Sequence, residues 1–200
     1  MAAEARLLSR YHWQTDNPEF GGFSALEVGE DGLALTVLMD RGRLVQGQLL
    51  RTSTGIEGIN VTVETNLLGL DGKPLSGEDD DSEGLALDGQ GGFYVSFEGP
   101  ARVWHYASLG AVPTEIKLTR EFAQMQNNAS LESLAATDGA LLTMPERSGR
   151  FEDTCAKGSS VSVQLARHSE APPDMVVSRD TVVSGSSSMK RLGMLACHWP

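Results

Sequence analysis

Carboxylates and arginines at repeated places in a strand-rich pattern are the residues here that could do chemistry. Gly77 to Pro100 reads GEDDDSEGLALDGQGGFYVSFEGP: an acid run of Glu78, Asp79, Asp80, Asp81 and Glu83, an apolar stretch, and a closing Glu98. Grouped carboxylates suit hard cations such as Ca²⁺, which takes oxygen ligands. Arg41, Arg102 and Arg147 could grip an anionic substrate with bidentate hydrogen bonds. A bound divalent metal would polarise an ester and activate water. Two plainer alternatives stand beside this chemistry. A charge run is ordinarily a solvated face, and the same acids and arginines could pair with one another as salt bridges between neighbouring units.

Three similar units must position these groups. In the central one, Asp88-Gly89 between two β-prone runs is a hairpin signal. Ser24-Ala25-Leu26, Glu83-Gly84-Leu85 and Glu132-Ser133-Leu134 begin the units, a Gly-containing turn follows each, and the return strands close on Asp40, Glu98 and Glu146. Several strands recurring at a period of roughly 40–50 residues is the pattern of propeller blades. The expected fold class is therefore all-β, built of β-propeller-like blades of antiparallel strands. Equivalent positions of successive blades face a common channel, so Ser24, Glu83 and Glu132 should form one layer and Asp40, Glu98 and Glu146 another. Leu33 to Met39 is nearly continuously apolar, as in a strand buried on both faces. Strands are also expected at Leu7 to Trp13, Thr54 to Thr65 and Ala101 to Leu109. Ile116 to Asn127 is the one helical candidate, although Glu115 to Leu118 reads equally as strand.

Composition excludes several classes. Net charge is −11, with 27 acidic against 16 basic residues, which opposes a nucleic-acid partner and accommodates cations. Cys155 and Cys197 lie far apart, and His12, His105, His168 and His198 are scattered, so no zinc spacing or disulfide framework is indicated. No G-x-S-x-G elbow, P-loop, dinucleotide fingerprint or EF-hand loop occurs. No segment has the length and apolarity of a membrane span. The first residues lack a leader pattern, so the chain as written is expected to be soluble and cytoplasmic.

The text changes after Arg150. Only 3 of the 22 glycines follow, along with both cysteines and Ser186-Ser187-Ser188. The expected division is a partial propeller domain over residues 1–150 and an atypical, poorly ordered tail over 151–200, which a reading-frame change in the coding sequence would explain. Val161 to Leu165 and Met175 to Val177 remain short strand candidates within it.

FGGFSALEV with DRG, DSEGLAL with FYVSFEGPARV, and the LESLA unit ending in PE resemble the phytase-like family, described by an esterase-like activity and found among bacterial exported proteins. The resemblance spans Leu7 to Arg147. It implies a β-propeller, hydrolysis of a small-molecule ester or phosphoester, and a periplasmic or secreted location. Asp40-Arg41-Gly42, Asp81, Glu83, Glu98, Arg102 and Glu132 match its motif positions. Carried over, Asp40, Arg41, Glu83, Arg102 and Glu132 are catalytic candidates. Asp81, Glu83, Glu98 and Glu132 are metal-ligand candidates, with Ca²⁺ favoured. Three departures stand out. Met39 occupies a position where Ser is common, Ser130-Leu131 replaces a Gly-containing turn, and no later blades follow Arg147. A closed propeller takes about four to eight blades, so an incomplete propeller, a fragment of little or no activity, is expected. The alternative function is a non-catalytic propeller module that binds a ligand or partner at its channel mouth.

Overall fold

The computed structural model describes residues 7, 9–118, 131–137, 140–144, 164–167 and 175–176. These form three four-stranded antiparallel sheets. The first joins β1 (Phe23–Val28), β2 (Ala34–Met39), β3 (Arg43–Thr52) and β4 (Gly55–Asn66) in sequence order. A 3₁₀ turn at Gly77–Asp79 leads into the second: β5 (Ser82–Leu87), β6 (Phe93–Phe97), β7 (Arg102–Tyr106) and β8 (Thr114–Ile116). The third runs through β9 (Ser133–Thr137), β10 (Ala140–Met144), β11 (Gln164–Arg167) and β12 (Met175–Val176). The fold is all-β, as the hairpin signals predict.

Local chemistry explains the hairpins. Asp31 Oδ1 accepts from the Leu33 and Ala34 amides while Gly32 takes φ +69°. Asp88 Oδ1 repeats this with the Gln90 and Gly92 amides. Each Asp side chain closes its own turn, which Gly completes at a φ that L-residues avoid.

The second sheet lies between the other two. Phe93, Val95 and Phe97 on one face of β6 share a core with Leu38 and Leu44 of the first sheet. Tyr94 on the other face, with Val103 and Ile116, packs against Leu131, Leu134 and Leu141 of the third. β2 is likewise buried on both faces, Leu38 toward the second sheet and Leu35, Val37 and Met39 toward a separate core, which is why its sequence shows no alternation. The first strands β1, β5 and β9 lie side by side, with β5 in the middle. A Cβ on Gly84 would meet Ser96 Oγ and, at 2.8–2.9 Å, the Cβ and backbone nitrogen of Leu134. Only glycine lets β5 and β9 approach this closely.

Several elements differ from expectation. Residues 9–13 form no strand; Trp13 instead packs on Phe20 and Phe23, with ring centroids 4.7 and 5.7 Å away. The helical candidate begins in β8, which pairs with β7 through Val103↔Ile116 and His105↔Thr114; residues 119–127 of that candidate lie outside the described residues. The open edge of β7 and the β-branched Thr114 and Ile116 favour pairing over a helical turn. Finally, β11 pairs in register with β10 from Ala140↔Arg167 to Thr143↔Gln164. Two adjacent strands of the third sheet, β11 and the edge strand β12, thus come from beyond residue 150.

Candidate metal centre

The site forms where the end of one strand meets the start of the next. β2 ends at Met39, and the following turn carries Asp40, Arg41 and Gly42. Ser82, fully buried at the start of β5, holds that turn: its Oγ donates to the Met39 carbonyl at 2.7 Å and accepts from the Gly42 amide at 3.1 Å. Arg41 and Asp81 form an isolated antiparallel bridge. On the other side, the Glu98 amide donates to the Asp81 carbonyl at 2.9 Å. Ser96, also buried, donates through Oγ to the Leu131 carbonyl at 3.0 Å, tying β6 to the segment that leads into Glu132. Two buried serines thus latch the second sheet to both neighbours.

A bulge aims Glu83. Ser82 pairs with Phe97 and Gly84 with Ser96, leaving Glu83 as the extra residue. The first sheet has the same irregularity: Phe23 pairs with Met39 and Ala25 with Leu38, leaving Ser24 extra. Ser24 and Glu83 are the residues that the repeat aligns. A bulge re-aims a side chain out of the strict alternation of the pleat.

Asp81, Glu83 and Glu98 each offer an oxygen, and these oxygens lie within 4.8 Å of one another. Glu98 is buried and the other two are half-buried. The Glu83 carboxyl is pushed up to about 7, first by burial and then by the negative charges of Glu132, Asp81, Glu98 and Asp40. Such a group is near half ionisation at neutral pH and can give or take a proton. Clustered carboxylates cannot all ionise cheaply without a counter-charge. Three carboxylate oxygens are a hard donor set, so Asp81, Glu83 and Glu98 could hold a metal ion of the oxygen-seeking class.

The other candidates separate around this group. Glu132 and Asp40 are close enough to raise Glu83 but are not part of the three-oxygen set. The two expected layers do not hold for Glu98, which joins Glu83 rather than standing apart from it. In an antiparallel hairpin the end of one strand lies beside the start of the other, so residues following Phe97 meet residues preceding Gly84. Glu146 and Arg147 lie outside the described residues. Arg41 is exposed and lines an open cleft of about 650 Å³ with Asp40, Asp80, Arg43, Asn66 and Phe20. Arg43 in that cleft pairs with Glu19 at 2.9 Å and Glu64 at 2.7 Å. Arg102 is buried, and its guanidinium donates to the backbone carbonyls of Asp79, Glu98 and Pro100.

Sequence reasoning passed over Ser82 and Ser96. Their signal was present: each is a small hydroxyl residue in or beside an otherwise apolar strand, and a buried hydroxyl needs a partner.

An all-β chain of stacked antiparallel sheets, with carboxylates gathered where strand ends of adjacent sheets meet, is the class that this fold and site define. The model of the phytase-like family, described as the esterase-like activity of phytase, matches residues 18–179. The chain belongs to that family, and the match continues through β11 and β12. No curated protein matches it significantly. Among the described residues, no helix is long and apolar enough to cross a membrane.

Proposed function

We propose that this protein hydrolyses a small-molecule ester or phosphoester at a metal centre formed by Asp81, Glu83 and Glu98. The carrying observation is the convergence of three carboxylate oxygens within 4.8 Å around a Glu83 carboxyl raised to about 7. Family membership supports the ester chemistry. An all-oxygen donor set suits hard divalent cations, and Ca²⁺ is taken as the first to test because it accepts irregular oxygen geometry. When bound, such a cation would polarise the ester and lower the pKa of water.

The chain's own residues have distinct parts. Glu83, raised in the metal-free chain by burial and its neighbours' charge, would be held ionised by a bound cation, and its oxygen not on the metal would accept a proton from an attacking water and return it to the leaving alkoxide. Glu132 and Asp40 add to the negative potential that draws the cation to this centre. Arg41, exposed in the cleft beside Asp40 and Asp80, holds the anionic end of the substrate. A propeller is the architecture we infer, since the first strands of three successive sheets lie side by side.

The test assays generic phosphate and carboxylate esters with and without added Ca²⁺, using the unsubstituted chain and Glu83→Gln. Metal-dependent turnover that the substitution removes is the expected result. Turnover indifferent to both metal and substitution would sink the proposal. A non-catalytic module would instead bind its ligand equally well after Glu83→Gln and Glu132→Gln together, with no hydrolysis in either form.

A further inference from the structure

We propose that Arg102 is a positioning residue that sets the spacing of the acidic centre, rather than a contact for the substrate's anion. This rests on the metal-centre reading above. Two segments carry the three carboxylates: one runs from Asp79 through Glu83, the other begins at Glu98. The guanidinium spans both. It donates through one terminal nitrogen to the Asp79 carbonyl at 2.6 Å. Through the other it donates to the Glu98 and Pro100 carbonyls, each at 3.2 Å.

The group is also held face-on. Its central carbon lies 4.5 Å from the Phe97 ring centroid and 5.1 Å from that of Trp104. A planar fork fixed on both an edge and a face has one orientation, which the single ammonium of lysine cannot reproduce. The Asp79 carboxylate is only a distant partner at 3.9 Å, so the carbonyls, not an ion pair, define the contact.

Two features argue that position rather than stability keeps this arginine in place. Among the described residues its buried Nε has no hydrogen-bond partner, and neither has Nε1 of the neighbouring Trp104. A buried charge that leaves a donor unsatisfied is a costly way to stabilise a fold. Meanwhile three carboxylates held together repel, and the Glu98 amide to Asp81 carbonyl bond is the backbone tie across the same gap. Arg102 adds a second tie and carries the opposite charge. Arg41, by contrast, is exposed in the cleft, so the two arginines should fail in different ways.

The experiment compares Arg102→Lys with Arg41→Gln in the whole chain. Ca²⁺ binding is measured by calorimetry, KM and kcat at saturating Ca²⁺, and amide hydrogen exchange at Glu98. For Arg102→Lys we expect Ca²⁺ affinity to fall about 10- to 100-fold, the usual effect of losing an outer-shell partner. KM should be unchanged and the Glu98 amide should exchange faster, while amides of β2 and β3 keep their rates. Arg41→Gln should raise KM and leave Ca²⁺ affinity alone. Native Ca²⁺ affinity with native Glu98 exchange in Arg102→Lys overturns the proposal, and so does a raised KM with Ca²⁺ affinity intact.

If the unsubstituted protein binds no Ca²⁺, the metal reading fails. Exchange at Glu98 then still decides whether Arg102 ties the two segments. Should Arg102→Lys not fold, Trp104→Phe removes part of the stacking surface without breaking a hydrogen bond. It should show the same pattern more weakly, and native behaviour in both measurements would overturn the idea.

Discussion

In the first sheet the bulged residue is Ser24 and the return strand is followed by exposed Asp40; in the second they are Glu83 and buried Glu98. The backbone device is the same and the chemistry is not. The second sheet is covered on both faces by its neighbours. Acids at its strand ends therefore feel low dielectric and one another's charge, and Glu83 rises to about 7. A repeat thus supplies equivalent positions, while the stacking of sheets decides which of them becomes reactive.

Breaking the acidic side of this comparison should have the largest effect. Glu83→Gln with Glu132→Gln is expected to lower metal-dependent kcat/KM by about 10²-fold or more, the scale of a lost acid–base group. Steady-state assays across Ca²⁺ concentrations check it. An activity within a few-fold of the unsubstituted protein would separate the bulge from the chemistry.

The next effect is on packing. Gly84 follows the bulge in the second sheet where Ala25 follows it in the first. Gly84→Ala places a methyl against Ser96 and Leu134 and should cost about 1–3 kcal/mol as overpacking. Urea midpoints measure this, and an unchanged midpoint would mean that β5 and β9 are not in such close contact.

A smaller effect concerns pH. Because the Glu83 carboxyl is raised in the folded chain, from 4.5 to about 7, the fold binds more protons than the unfolded chain in that window. Metal-free stability should then fall as pH rises through it. Glu83→Gln should flatten that part of the profile and raise Tm above pH 7, and Ca²⁺ should restore stability to the unsubstituted protein at the same pH. Thermal melts at pH 5 and pH 8, with and without Ca²⁺, compare all three. A Tm that rises from pH 5 to pH 8 without metal would contradict the repulsion.

The smallest effect belongs to the first sheet. Ser24→Ala should change activity by less than about two-fold and stability by roughly 0.5 kcal/mol or less, as is usual away from a charged or tightly packed site. A loss as large as that of Glu83→Gln would make the two bulges functionally equivalent and remove the contrast.

What the sequence determined by itself was local. Asp-Gly turns, β-branched runs and the unbroken apolar stretch before Asp40 were enough for the hairpins, because each depends on residues a few positions apart. The acids were legible as a repeated pattern, and Asp81, Glu83 and Glu98 were among the metal-ligand candidates. Which of them met was a tertiary matter. Glu98 joins Glu83 through strand pairing, Ser82 and Ser96 find their carbonyls on other sheets, and Arg102 faces inward onto backbone carbonyls. Burial and electrostatic field are sums over residues that are distant in sequence. The same carboxylate is an ordinary acid on an open strand end and a near-neutral one where three sheets close around it.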